Sequence, residues 1–255
     1  MIVEIKTKIS LLKIIILPLF LWLCFNNSPT KAETSRGLIT EGLNFYDQGK
    51  YADALKRWKS ASKDGSQEAD FLLGFLYDGI LQNDKEALFF FKKAALSGHV
   101  QAQVNVALKY EKGEGTTVNK EEAIYWYYQA AFNQDDIAQF RLASLLQEET
   151  GKAKESHFWF AKSAELGNPE AHLALATNFI LGRGVEKNLT LAHVSCNLAT
   201  FLSRDIGSIS RSIQLRTELE TKMSIDQLKR AEQLSRKCIE KKFKECMNYL
   251  VELRQ

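Results

Sequence analysis

The run Ala102-Gln-Val-Asn-Val-Ala107-Leu-Lys-Tyr110-Glu-Lys-Gly113-Glu-Gly115, followed by Ala123-Ile-Tyr-Trp126-Tyr-Tyr-Gln-Ala130-Ala131, decides the fold. Small and aromatic residues stand at helical spacing in both halves, and glycines break the chain between them. The same grammar recurs outward in both directions. Taking Ala54, Ala87, Ala123, Ser156, Ala192 and Ala231 as marks, the successive separations are 33, 36, 33, 36 and 39 residues. Seven positions after each mark stand Ala61, Ala94, Ala130, Ser163, Ala199 and Cys238, and fifteen after stand Ala69, Ala102, Ala138, Ala171, Gly207 and Cys246. Eleven after come Gly65, Gly98, Gln134, Gly167 and Ser203, where glycine takes the left-handed conformation that ends a helix. Length variation is confined to the other connection, filled in its long form by Gly113-Glu-Gly115 and Gly182-Arg-Gly184-Val185. One rigid turn and one tolerant loop per unit predict stacked helical hairpins.

Composition agrees. The 255 residues are 45% hydrophobic, 25% charged and 11% aromatic, which excludes wholesale disorder. Pro18, Pro29 and Pro169 are the only prolines, a scarcity that favours helix. The net charge of +3 resides in residues 1–32; residues 33–210 sum to −4 and the rest to +4, so charge-driven nucleic-acid binding is not expected. Lys6, Lys8 and Lys13 before the apolar run Ile14 to Phe25, then Thr30-Lys31-Ala32, read as a signal peptide over 1–32, with the mature chain beginning near Glu33 in the periplasm or secreted. An uncleaved membrane anchor is the alternative, although the apolar run is shorter than the ~20 residues that span a bilayer comfortably. Leu23 before Cys24 argues against lipidation.

These residues resemble the Sel-one-like repeat, a relative of the tetratricopeptide repeat, from about Leu38 to Leu202. The resemblance implies an all-α solenoid: a right-handed superhelix of antiparallel helix pairs, about five to residue 203, with a helical cap over 204–255 within a repeat domain of 33–255. Tyr46 to Trp58 is closer to the tetratricopeptide form, while Leu146, the Gly151 loop and Ser195 depart from the pattern. Ser224 with Gln227 forms a capping box that opens the last long helix. The expected function is an exported scaffold that binds a protein or peptide, without catalysis, metal or cofactor. In proteins of this kind, first helices line a concave groove in which side-chain amides hold an extended peptide. The strip three and seven residues after Ala102, Ala138 and Ala171 supplies Asn105, Lys109, Arg141 and Asn178 as groove candidates.

Catalytic motifs are weak. Ser60-Ala-Ser-Lys63 matches the Ser-x-x-Lys of penicillin-recognising enzymes, and some cysteine-rich relatives carry a β-lactamase label, so a weak β-lactam hydrolase is the rival reading. No Ser-Asp-Asn or Lys-Thr-Gly accompanies it. His99 is read as a turn residue, and it, His157, His172 and His193 lack metal-ligand spacing and are read as surface or groove residues. Cys196 is read as a buried, inert thiol, and the sequon Asn188-Leu-Thr190 as a chance match. Cys238 and Cys246 occupy paired small positions that face each other across the invariant turn in the other units, so a disulfide is expected there in an oxidising compartment. Cysteine-rich members of the resembling family bridge cysteines at this separation.

Overall fold

A computed structural model describes residues 30–241; the leader, and Cys246 with the rest of 242–255, lie outside the described residues. The described chain is all helix and turn. The helices are α1 (Lys31–Asp47), α2 (Tyr51–Lys63), α3 (Gln67–Gly79), α4 (Asp84–Leu96), α5 (Val100–Lys112), α6 (Lys120–Phe132), α7 (Asp136–Gln147), α8 (Ala153–Glu165), α9 (Pro169–Leu181), α10 (Leu189–Leu202), α11 (Ile206–Glu220) and α12 (Ile225–Glu240). Each helix packs on the next through α11, and α12 returns to pack on α10. The first ten thus form five hairpins in an α-solenoid.

The marks and their partners seven residues on are the most buried positions of the array. Ala54, Ala61, Ala87, Ala94, Ala123, Ala130 and Ala192 have no exposed surface, and Ala231 and Cys238 repeat the pattern on α12. Small side chains let aromatic knobs enter from the paired helix. Trp58, Phe91, Tyr127 and Phe160, each four after a mark, are buried, and a Cβ added at Gly74 would sit 2.5 Å from the Phe91 ring. Such knob-in-hole contacts are the main stabilising term of the fold.

The invariant turn is three residues long at 64–66, 97–99, 133–135 and 166–168. Its middle residue is left-handed each time: Gly65, Gly98, Gln134 and Gly167 have φ of 87°, 91°, 62° and 90°. Its last residue, Ser66, His99, Asp135 or Asn168, caps the next helix by accepting the amide of Ala69, Ala102, Ala138 or Ala171. His99 is therefore a cap, through Nδ1, and more than a turn residue. The pattern fails after α10. Ser203 is extended at φ −71°, Gly207 is exposed, and buried Ser208 takes the contact that the small residue at fifteen was expected to make. The capping box at Ser224 forms as expected, with reciprocal bonds to Gln227.

The tolerant loops also dock. Gly113 and Gly182 end their helices left-handed. Gly115 and Gly184 then lie against the start of the preceding second helix, so close that a Cβ would fall 2.3 Å from the Asp84 carbonyl oxygen and 2.1 Å from that of Ala153. Only glycine permits that approach.

Candidate interaction surface

The first helices α3, α5, α7 and α9 expose a narrow strip. Asn105 is half-buried on α5 and Arg141 is exposed on α7, as the sequence led us to expect. Arg141 reaches Glu111 of α5 at 3.5 Å, and the Asn105 side chain makes no hydrogen bond among the described residues. Leu72 and Ala174 hold the equivalent positions on α3 and α9, and Phe75, Leu108, Ser144 and Thr177 extend the strip one turn further.

Lys109 and Asn178 correct the expectation, because both are 1% exposed. The position seven after the small residue turns toward the preceding unit, where a partner waits from its first helix. Lys109 Nζ lies 2.5 Å from Asp78, 2.8 Å from Asp84 and 3.5 Å from Glu114. Burial opposes its charge, but the hydrogen bonds to Asp78 and Asp84 prevail and raise its pKa. Those three carboxylates converge within 4.8 Å of one another in the manner of a cation site, and the lysine ammonium supplies the cation. Asn178 is the neutral counterpart: its Oδ1 accepts from Gln147 at 3.1 Å and its Nδ2 lies 3.5 Å from His157 Nδ1. Neither residue can contact a groove ligand without leaving these partners.

A buried polar ladder escaped the sequence reading. One residue after each small position stand Asp70, Gln103, Gln139 and His172, all buried. Gln103 and Gln139 donate to the carbonyls of Ala95 and Ala131 at the end of the preceding helix, and His172 bonds the equivalent Ala164. Asp70 instead accepts from Ser62 at 2.5 Å and from Lys93 at 2.9 Å. The Gln103, Gln139 and His172 rungs satisfy helix-end carbonyls, and the Asp70 rung pairs side chains. Far from lying on the surface, His172 is buried deeply enough that desolvation pushes its pKa down to about 4. His193 is buried as well, its Nε2 lying 3.2 Å from Glu220 and its Nδ1 3.3 Å from Asn197.

The remaining sequence candidates are accounted for locally. Ser60 is exposed on α2 and donates to the Lys56 carbonyl at 3.1 Å, so its hydroxyl proton is directed at backbone and not at Lys63. Cys196 is fully buried and burial pushes its thiol up to about 12, the behaviour of an inert core residue. Asn188 caps α10 by accepting from Leu191. Cys238 is buried on α12, while the Cys246 half of the expected disulfide is outside the described residues. No helix among the described residues is long and apolar enough to cross a membrane.

Fold and surface together define a helical-repeat solenoid of the tetratricopeptide-like class. More particularly, residues 67–99, 100–131, 136–168 and 169–193, the array from α3 into α10, match the Sel1 repeat. Among known structures, a Sel1 repeat protein from Oxalobacter formigenes is 27% identical with a TM-score of 0.59, the match covering 75% of this chain and 88% of that one. A protective antigen of uropathogenic Escherichia coli with an SLR fold shares the fold at a TM-score of 0.60 and 24% identity, over 86% of this chain and 56% of that one. An uncharacterized protein of Neisseria meningitidis is 28% identical over 58% of this chain and 31% of its own length. Chitin synthase regulatory factor 2 of Schizosaccharomyces pombe is 42% identical over 31% of this chain and 16% of its own. The chain thus spans less than a third of the curated relatives it matches.

Proposed function

We propose that the protein is an exported scaffold whose first-helix face holds a protein or peptide partner. The observation that carries this reading is Asn105: a side-chain amide on the strip with no internal hydrogen bond, beside the apolar Leu72, Phe75 and Leu108 and the cationic Arg141. An unpaired amide among apolar neighbours can hold the backbone of an extended peptide, and the neighbours can take its side chains. The fungal relative's name, a regulatory factor, supports action on another protein rather than turnover of a small substrate. The lysine-flanked apolar run ending at Phe25 supports export.

The test is affinity capture from the extracytoplasmic fraction with the wild-type chain, Asn105→Ala and Arg141→Glu. Both variants should lose the captured partner while helicity stays unchanged, since substitutions at exposed positions usually stay within ~0.5 kcal/mol. Equal capture by all three would reject the groove.

A further inference from the structure

The outward faces of the second helices are not used by this reading, and they differ in chemistry from the first-helix strip. Two residues after the mark on α4, α6 and α8 stand Phe89, Tyr125 and Phe158, exposed by 59%, 52% and 50%. Two turns further on, Leu96 and Phe132 are exposed by 74% and 70%. Between α6 and α8 the rings meet through the buried Trp159: Phe132 lies 5.4 Å from it and Phe158 5.2 Å. A register-matched aromatic row on the surface of a folded chain calls for a partner.

Lysines frame the rings. On α2 the equivalent face is basic, with Lys56, Lys59 and Lys63, and the row continues with Lys85, Lys92 and Lys154 on α4 and α8. None of the six forms an ion pair among the described residues; the half-buried Lys92 donates to the Tyr110 hydroxyl at 3.0 Å, which leaves five, and Lys93 and Lys162 on the same face are held by Asp70 and Glu165. Glu121 is the one acidic residue at these positions without such a lysine partner among the described residues. This concentration of positive charge stands out because residues 33–210 as a whole sum to −4. Three hollows of the surface lie elsewhere: beside the start of α1, between the start of α10 and α12, and on α11.

We propose that this face docks the solenoid onto an anionic phospholipid bilayer. Protruding rings flanked by lysines suit a deformable medium: each enters the headgroup region while the lysines, on long apolar stems, reach the lipid phosphates. A second copy of the chain fits poorly, because two-fold pairing of this face would set lysine against lysine. Docking through α4, α6 and α8 leaves the Asn105 strip on the other helix layer free for its partner.

The experiment introduces 4-cyanophenylalanine into the full chain in place of Phe132 or Phe158, with Phe75 on α3 as the control, and reads the nitrile stretch on vesicles. Using one chain throughout means that any tether from the leader acts equally on all three probes. On phosphatidylcholine vesicles containing about one third phosphatidylglycerol, the bands at 132 and 158 should move to the dehydrated position while that at 75 stays hydrated. On phosphatidylcholine alone all three should stay, and Lys56→Glu, Lys85→Glu and Lys154→Glu combined should abolish the shift. Unmoved bands at 132 and 158 on the anionic vesicles, or an equal shift at 75, overturn the proposal. So does a shift that appears with rising protein concentration in the absence of lipid, which would assign the face to a second copy.

Discussion

Replacing Gly184 by alanine tests the claim that the long loops hold neighbouring units together. Two costs apply. Gly184 has φ +69°, and an L-residue in that region loses about 1–2 kcal/mol. The new Cβ would also stand 2.1 Å from the Ala153 carbonyl oxygen, which belongs to the first turn of α8 and cannot rotate away. Restoring ordinary contact requires the loop to lift by roughly 1 Å or more, an overpacking penalty of about 1–3 kcal/mol. Gly182 in the same loop provides the control: its φ is +73°, but an added Cβ meets the flexible Lys187 side chain at 3.1 Å and the Val185 carbonyl oxygen at an ordinary 3.6 Å. Gly151, at φ +81° with nothing within 4 Å, isolates the backbone cost alone. Gly184→Ala should therefore lose about 2–5 kcal/mol, against about 1–2 for Gly182→Ala and Gly151→Ala. Urea unfolding followed by circular dichroism gives the totals, and amide exchange should show added opening at the start of α8. Equal losses at 182 and 184, within ~0.5 kcal/mol, would mean that the loop does not bear on α8 and would refute the docking argument.

Gln134→Gly should stabilise the protein by about 0.5–1 kcal/mol, because Gln134 is held at φ 62° at the left-handed position that glycine fills at 65, 98 and 167; an unchanged or lower melting temperature would count against strain there. His172 binds its proton only near pH 4 when folded but near 6.5 when unfolded, so the unfolded state takes up the proton first as pH falls and stability drops between those values, by up to about 3 kcal/mol. His172→Gln, which copies the residue found at 103 and 139, should remove that slope; parallel pH–melting curves for the variant and wild type would disprove it. Cys238 and Cys246 are expected to be linked in the oxidised chain, with Cys196 left as a thiol; non-reduced peptide mapping that recovers free thiols at 238 and 246 rejects the link.

What the sequence made legible follows from which contacts leave a one-residue signature. A helix crossing tight enough to exclude a side chain demands Ala, Ser or Gly, so the marks could be read from spacing alone, and the left-handed turn demanded glycine at 65, 98 and 167. The polar ladder was hidden because helical periodicity assigns polar residues to solvent, and Gln103, Gln139 and His172 look solvated until their helix-end carbonyls are seen. A signal existed nonetheless: four polar residues in register, each one step from a buried alanine. Lys109 could not be placed by such reasoning, because its partners Asp78 and Asp84 lie 31 and 25 residues upstream and a lone lysine on a helix reads as surface. Asn105 and Arg141 could be placed on the accessible strip, since their position keeps partial exposure even where Arg141 reaches Glu111.

The alternation of 33 and 36 residues acquires a physical meaning once these contacts are set side by side. Lys109 and Asn178 are 69 residues apart, as are the residues they meet, Asp78 and Gln147, and the glycines Gly115 and Gly184 that dock on the preceding helix. Every long-loop unit is therefore locked backward twice, by a buried polar side chain and by a glycine against a carbonyl. The short-loop units carry Leu76 and Leu145 where the lock would be. Across the seam between α6 and α7 the ties are of another kind: Arg141 to Glu111 and Lys120 to Glu148 at the surface, with Phe132 and Tyr128 against Trp159. Surface ion pairs contribute little, so that seam rests on aromatic packing, on the buried Gln139 bond to the Ala131 carbonyl and on the Tyr128 hydroxyl donating to Glu155. The backward locks of this solenoid accordingly recur once per pair of repeats, α3 to α6 and α7 to α10. The exposed rings of Phe132 and Phe158 sit astride the seam where the two pairs meet, so whatever covers them also bridges a joint that carries neither lock.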